Sequence, residues 1–543
     1  MTRVWMGLIL VLLSSQIGTQ VAAWQYRHAP ALGPRFTVAR LSLYPPTGLA
    51  VWTVGLMRVA GTQAVDQRLR LAWTAWGLTL CGGLVGLRAR LKRPRSDRAI
   101  TRWATRRTLR QAGLLGEQGV VLGRIGRTVV RDNADTHTLV IGPSRAGKGE
   151  NTVIPTLLSW QGGAIVYDPK GELYPQTAAY RRTFSTVIHC NPTRLDTQGC
   201  NLLAHLVVDG PTEHRDTEAL MTRLADPDGT AQDSESPTGK HFRELTIAVG
   251  QGLVLYALRV GHTTLPAIAQ LLYQTPLADL AAAMLTQPHA VIQAAGRMLE
   301  GMDDQQLWGV VTTVQRAFKP FLDPGVGRLV SRNDCDLHTL RTGAKPVTIY
   351  YSVPFTHQEQ YRGVTRLFFH MLFDASLASL TDWKHRTLVL LDEVTTLRRF
   401  PLLADGFDFA AGYGIKMLIL TPSLNRILAV HGPYHNFVEG AHTRILFPPN
   451  TRRMASFWAP EAGEQMVEKA RTSRQVGKPL QPNTSVSTEE TWEPLLTATA
   501  LAQMPRNKVL VLSGDAPPAM LTKIKAWREK PWCQRRTPFP RTP

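Results

Sequence analysis

Three short segments carry residue types whose spacing suits phosphate chemistry. The first is Gly142-Pro-Ser144-Arg145-Ala-Gly147-Lys148-Gly149, entered from the apolar run Thr138-Leu-Val-Ile141. It is close to G-x-x-x-x-G-K-[ST], in which glycines let successive backbone N–H groups turn onto phosphate oxygens and the lysine supplies a point charge. A helix from about Glu150 to Trp160 would add its positive N-terminal end. Gly142, Ser144, Arg145, Gly147, Lys148, Gly149 and Glu150 are the expected nucleotide contacts. Gly149 stands where a Ser or Thr hydroxyl would normally reach Mg²⁺. The second segment is Thr387-Leu-Val-Leu-Leu-Asp392-Glu393, a buried strand ending in two carboxylates. Asp392 is expected to hold Mg²⁺, directly or through water, and Glu393 to orient and polarise an attacking water. Lys148, Asp392 and Glu393 are thus a candidate catalytic set for ATP and Mg²⁺ chemistry. The third segment, Ala164-Ile-Val-Tyr-Asp168-Pro-Lys170-Gly-Glu172, is another apolar run ending in charge. Its tip should face the same site; a solvated strand-end loop is the alternative.

These residues need a sheet to hold them. Further strands are expected at Pro346–Val353, Met417–Thr421, Arg444–Phe447 and Val509–Leu512, with helical patterns between several of them. Strands alternating with helices imply an α/β fold with a parallel sheet covered on both faces. Lys148 and Asp392 are 244 positions apart, too far for adjacent strand–helix units without an insertion. From about Thr212 to Phe321 only helix-period runs occur: Glu213–Leu224, His241–Val260, Leu265–Tyr273, Ala290–Leu299 and Asp303–Phe318. We expect an all-α domain there, with Asp226–Lys240 as a mobile loop. The expected organisation is a membrane anchor over 1–100, the nucleotide domain over 101–200 and 326–515, the inserted domain over 201–325, and a basic C-terminal tail over 516–543.

The 543 residues carry a formal charge of +21, with 44 % hydrophobic and 19 % charged side chains. This excludes wholesale disorder. Five scattered cysteines with no Cys-x-x-Cys exclude a disulfide scaffold and argue against structural zinc. Residues 1–110 hold 17 basic and two acidic side chains, residues 111–505 hold 36 and 37, and residues 506–543 hold nine and two. Two stretches, about 4–24 and 71–87, are uncharged and near the length of a membrane span. Val21-Ala22-Ala23 also resembles a signal-peptidase site, and a buried globular helix is the alternative for 71–87. The arginines from Arg88 to Arg110 place the remainder of the chain on the cytoplasmic side. The segment around 41–57, with Pro45-Pro46, reads as a loop between spans. The C-terminal tail is left to meet nucleic-acid phosphates. Asp209–Glu235 holds eight acids against two arginines, a solvated face or a dock for a basic partner.

With these motifs the chain resembles a type IV secretion coupling protein, the TraG family of conjugative transfer ATPases. The likeness runs from Arg102 to about Arg528. It rests also on Arg102-Trp-Ala-Thr105, Ala112-Gly-Leu-Leu115, Gly119-Val-Val-Leu-Gly123, Ile154-Pro-Thr-Leu-Leu158 and Ala411-Gly-Tyr-Gly414, and Gly147-Lys148-Gly149 is the family's usual variant. The resemblance implies two N-terminal transmembrane helices in the bacterial inner membrane and a cytoplasmic RecA-like nucleotide domain with an inserted all-α domain. It further implies a homohexamer that binds single-stranded DNA without sequence preference, recruits a relaxase–DNA complex and delivers it to the inner-membrane components of a type IV secretion system. Several positions depart from the family. Pro422 and Arg426 replace glutamines, Val394 a phenylalanine and Arg398 a glycine, which bears on coupling more than on nucleotide binding. Arg444 is a candidate trans arginine, with a solvated charge as the alternative. A non-hydrolysing scaffold that docks substrates is the competing function; protein cargo and a chromosome-segregation translocase are further readings.

Overall fold

The strand Thr138–Ile141 is buried at every position, and it lies in the middle of the main sheet. The structure, a computed structural model, describes residues 2–38, 41–60, 67–90, 101–227, 236–336, 340–400, 403, 406–407, 409–433, 436–474 and 484–538. The chain divides into two units, residues 1–99 and 100–543.

In the first unit, helices Thr2–Gln25, Gly48–Ala60 and Gln67–Arg90 accompany a hairpin of β1 (Phe36–Val38) and β2 (Leu41–Leu43). The expected loop around 41–57 is therefore a strand followed by a helix. Pro45-Pro46 ends the strand, and carbonyl oxygens of this turn find side-chain donors on the first helix. Ser15 Oγ donates to Pro46 O at 2.7 Å and Gln16 Nε2 to Tyr44 O at 3.0 Å. The polar residues of the first helix thus satisfy a turn that proline leaves short of backbone donors. Among the described residues no helix is long and apolar enough to cross a membrane.

In the second unit the sheet contains β3 (Val120–Ile125), β4 (Thr128–Asp132), β5 (Thr138–Ile141), β6 (Gly163–Tyr167), β7 (Thr186–Cys190), β8 (Val347–Tyr351), β9 (Thr387–Leu391), β10 (Ile415–Thr421), β11 (Thr443–Leu446), β14 (Lys508–Ser513) and β15 (Ala516–Thr522). A separate antiparallel hairpin joins β12 (Glu464–Arg474) to β13 (Thr484–Pro494). The order in the sheet is β4-β3-β15-β14-β11-β5-β10-β9-β6-β8-β7. From β11 to β7 all neighbours are parallel; β14, β15, β3 and β4 extend the other edge antiparallel. The expected parallel sheet is thus mixed, because short reversals at Gly514-Asp515 and Gly126-Arg127 let strands return directly as hairpins. Successive residues of each central strand feed opposite layers. Leu139 and Ile141 join one apolar cluster and Val140 the other, which is why these strands read as unbroken apolar runs.

Between β7 and β8 the chain is helical, with helices Glu213–Ala225, Pro237–Arg259, Leu265–Gln274, Leu277–Leu285, Ala290–Gly301, Asp304–Phe318 and Pro324–Ser331. Several starts are marked by side-chain caps: Ser236, Thr264, Asp303 and Asp323 each accept from an N–H of the first turn. The second helix begins at Pro237, inside the stretch expected as a loop; residues 228–235 of that stretch lie outside the described residues. Two acids of the Asp209–Glu235 stretch, Asp209 and Glu213, pair with Arg259 at 2.6 and 2.8 Å.

The largest correction concerns residues 516–543. Residues 516–522 are β15, inside the sheet, and the segment after it packs on the phosphate-loop helix. Trp532 is 1 % exposed, and its indole N–H donates to Ser159 Oγ at 2.9 Å.

Candidate nucleotide site

Four adjacent strands, β5, β10, β9 and β6, end within two residues of one another. Ile141 pairs with Thr421, Leu391 with Ile419, and Tyr167 with Leu391. The loops leaving the C-terminal ends of parallel strands form the crevice where α/β sheets bind ligands. Here they line a cleft of about 840 Å³ that brings together Ser144, Arg145, Gly147, Lys148, Gly149, Glu150, Lys170, Glu172, Asp392, Glu393 and Thr421.

The phosphate loop leaves β5 at Gly142, whose N–H donates to Thr421 O at 3.2 Å. A Cβ here would come within 2.5 Å of Phe447 Cβ, so only glycine fits against the residue that follows β11. Arg145 and Gly147 hold φ of 60° and 92°, the left-handed turns that curl a loop into an anion-binding nest. The expected helix begins as a π-helical turn, Gly149–Val153, and continues as α-helix over Ile154–Leu157. Its C-terminal carbonyls are taken by Arg181. That buried guanidinium donates to Leu157 O, Trp160 O, Gly162 O and Thr348 Oγ1 at 2.7–3.0 Å.

Lys148 folds its ammonium back onto Gly142 O at 2.5 Å and Pro143 O at 3.2 Å. Burial lowers its pKa, opposed by Glu393 and Asp392. Asp392 follows β9, and its backbone N–H donates to Tyr167 O at 3.2 Å. Burial pushes its carboxyl above the usual carboxylate range; Lys170 and Lys148 oppose this, and Glu393 and Glu172 add to it. Two cations and three carboxylates therefore act on one another here, Lys148 and Asp392 from the desolvated inner part of the cleft and Lys170 and Glu172 from its exposed rim. Glu393 has φ 68°, an uncommon conformation for a side-chain-bearing residue and one that collects at functional sites. Its carbonyl is held by Thr396, through the N–H at 3.0 Å and Oγ1 at 2.9 Å, and Thr396 Oγ1 meets Tyr167 Oη at 2.9 Å. Burial pushes the Tyr167 phenol up to about 12, so it stays protonated.

The third segment divides its labour. Lys170 and Glu172 line the cleft. Asp168 turns away and accepts the N–H groups of Glu172, Leu173 and Tyr174 at 3.1, 2.7 and 3.3 Å, tying down the start of the helix Leu173–Arg181. Burial raises the Asp168 carboxyl to about 6 against those donors.

Pro422 sits between the end of β10 and Ser423, whose side chain caps the helix Leu424–His431. Thr421 lines the cleft, and its hydroxyl donates to Ser423 O at 3.0 Å. Arg398 takes φ 59° and ψ −162°, a region that is almost exclusively glycine's. Arg444 lies on β11 and pairs within its own chain with Glu461 at 3.2 Å; it is not among the cleft residues.

Sequence reasoning missed Gln176, Thr421, Trp527 and Arg536, all of which line the cleft. Arg536 pairs with Glu150 at 3.0 Å. Lys523 Nζ donates to Ala146 O at 2.8 Å, and Ile524 N–H to Asn151 Oδ1 at 2.7 Å. For Trp527 and Arg536 the only signal was compositional, a cluster of tryptophan and basic residues after Thr522.

Among the described residues no group of three or more His, Cys, Asp or Glu side chains is arranged to hold a metal ion alone. A divalent ion bound here would need ligands beyond the protein, as Mg²⁺ does when it bridges a carboxylate, water and phosphate oxygens.

The comparisons with known proteins agree with this geometry. A family model described as type IV secretory system conjugative DNA transfer matches residues 102–539. The conjugal transfer protein TraG of Escherichia coli is 26 % identical, covering 91 % of this chain and 84 % of that protein. Protein VirD4 of Agrobacterium fabrum is 24 % identical, covering 79 % and 66 %. Among solved structures, plasmid coupling protein TrwB in complex with ADP and Mg²⁺ is 14 % identical, with a TM-score of 0.58 over 80 % of this chain and 96 % of that one. The second unit accordingly has an α/β, RecA-like P-loop fold. The chain belongs to the type IV secretory system conjugative DNA transfer family, as a coupling protein of the TraG type.

Proposed function

We propose that this coupling protein is an ATP-driven motor that recruits a relaxase–DNA complex and delivers it to a type IV secretion channel. The observation that carries the reading is the convergence of Lys148, Lys170, Asp392 and Glu393 on one cleft at the ends of four adjacent strands. Backbone amides around Gly147, with Lys148, would hold the β- and γ-phosphates. Asp392 would hold Mg²⁺, which supplies charge neutralisation at the transferring phosphoryl group. Glu393 would hold the attacking water and take its proton; the Thr396–Tyr167 link fixes the backbone from which it reaches. In this reading residues 101–200 and 326–538 form the nucleotide domain, and 201–325 an inserted helical domain that docks substrate. Residues 1–100 anchor the protein in the bacterial inner membrane, by transmembrane helices within 4–24 and 71–87. The protein works as a homohexamer around single-stranded DNA, beside inner-membrane components of the secretion system. Arg444 would serve a neighbouring subunit only by exchanging Glu461 for the nucleotide.

A second reading, a nucleotide-binding scaffold without turnover, is favoured by Pro422, which brings neither a side-chain amide nor a backbone N–H to the end of β10. Phosphate release by the purified full-length protein, with and without single-stranded DNA, separates the two. DNA-stimulated turnover that disappears in Glu393→Gln while ATP binding persists supports the motor. ATP binding with no turnover in the unsubstituted protein refutes it in favour of the scaffold.

A further inference from the structure

The cleft is lined by two kinds of residue. One is the polar cradle of the phosphate loop, Lys148 and Lys170. The other kind is apolar: Val153, Ile154, Leu173, Leu420 and Trp527. Among the described residues lining the cleft, Trp527 is the one aromatic side chain.

Trp527 is 47 % exposed although its neighbour Ala526 is 0 % and Ile524 1 % exposed. The backbone that presents it is pinned on both sides. Upstream, Lys523 and Ile524 bond the phosphate-loop region through Ala146 O and Asn151 Oδ1. Downstream, Arg528 N–H and Glu529 N–H donate to Lys525 O at 2.9 and 3.0 Å, and Trp532 is buried. The Arg528 guanidinium lies 4.2 Å from the indole ring centroid, a cation–π contact that stiffens the side chain further. A large aromatic face is therefore held in place at a polar cleft without being buried by its own chain.

We infer that Trp527 is the platform on which the base of the bound nucleotide stacks. This rests on the assignment of the cleft to a nucleotide and extends it to the group that recognises the base. A nucleoside phosphate is an anion joined to a flat aromatic ring, and the cleft offers one partner for each part. The platform is pre-ordered, so little conformational entropy is lost on stacking. Every base has a π-face, so stacking alone separates nucleotides from inorganic phosphates without separating adenine from guanine. The C-terminal segment thereby becomes the specificity element of the site: it selects nucleotides over free polyphosphate.

The test is calorimetric titration of the full-length protein with Mg·ADP, Mg·GDP and Mg·pyrophosphate. ADP and GDP should bind with similar affinity, and both more tightly than pyrophosphate. Trp527→Ala should weaken both nucleotides by about 5- to 150-fold, the range set by one stacked base, and leave pyrophosphate unchanged. Trp527→Phe should recover most of the loss. Equal losses for nucleotide and pyrophosphate, or no loss for either, overturn the stacking role. Pyrophosphate bound as tightly as ADP by the unsubstituted protein overturns the platform but leaves the phosphate cradle standing. Binding of none of the three overturns the nucleotide site itself, and the platform with it.

Discussion

Replacing Trp532 by alanine tests whether the C-terminal segment is part of the nucleotide domain. The side chain is 1 % exposed and belongs to the apolar cluster that holds Leu157 and Leu158 of the phosphate-loop helix. Truncating a buried tryptophan costs about 3–5 kcal/mol, including the cavity left behind. Loss of the indole N–H also leaves Ser159 Oγ without this donor, which adds about 1 kcal/mol. Together these come to about 4–6 kcal/mol, and at about 1.4 kcal/mol per decade the segment should open roughly 10³- to 10⁴-fold more often. Amide hydrogen exchange reads this directly. The Ile524 N–H, bonded to Asn151 Oδ1, and the Lys523 N–H, bonded to Asn507 O at 2.8 Å, should exchange faster by that factor. Amides of β9 and β10 should not change. Trp532→Phe keeps most of the bulk and loses only the donor, so its effect should stay below about tenfold. Unchanged protection at Ile524 in the alanine variant would refute the reasoning, because the segment would then be held by something other than this anchor. A uniform rise across β9 and β10 would refute it too, since the anchor would then be inseparable from the whole core.

Two further substitutions probe features away from the phosphates. Lys416 and Asp132 are 0 % and 1 % exposed and 3.0 Å apart; Lys416 also donates to Ala134 O and Thr136 O. Lys416→Met strands a buried carboxylate and should cost about 3–5 kcal/mol, read as a lower thermal midpoint with ADP binding intact; adding Asp132→Leu should recover much of that loss, and strictly additive effects would exclude coupling between the two. Arg398→Gly relieves a φ of 59° at ψ −162° and gives up only a 4.0 Å pair with Glu359 between exposed side chains. It should raise the midpoint by the equivalent of about 1 kcal/mol, and a lower midpoint would show that Arg398 makes a contact worth more than its strain.

The phosphate loop, the Asp392-Glu393 pair and the strands that carry them were legible because their signals are local. An apolar run, a glycine turn and a lysine occupy eleven consecutive residues, Thr138 to Lys148. The antiparallel edge was not legible, since β3, β4 and β15 are short and only half patterned: Thr128–Asp132 alternates burial, but two prolines stand in Ala516–Thr522. Those prolines argue against a strand unless they sit at a bulge, and here the pairing with β14 shifts register between Val511 and Ser513, opposite Pro517 and Pro518, while β3 pairs with β15 only at Thr522. The partner of Lys416 was hidden for another reason. A lysine in Ile415–Thr421 reads as solvent-facing, and only the fold reveals the acid and carbonyl oxygens 280–284 positions away that receive it. Arg181 is the same case, an arginine on a nine-residue helix whose acceptors belong to three other segments.

The net charge takes on a different meaning once the phosphate loop's carbonyl oxygens are counted. A nest that turns N–H groups toward an anion turns carbonyl oxygens away from it, and those oxygens need donors. Gly142 O and Pro143 O take Lys148; Gly147 O takes the Asn151 N–H; Ala146 O takes Lys523. Leu158 O, at the far end of the helix, takes Arg535, and the carboxylate of Glu150 takes Arg536. Three of the basic residues after Thr522 are therefore committed to the loop and its helix rather than presented to nucleic acid. Burial lowers Lys523 to about 8, which marks it as an internal donor instead of a solvated charge. A basic C-terminus at the end of a DNA-transfer protein suggests phosphate contacts on composition alone. In this fold those cations brace the backbone that forms the nucleotide cleft, so substituting them should disturb ADP binding before it disturbs the salt dependence of DNA binding.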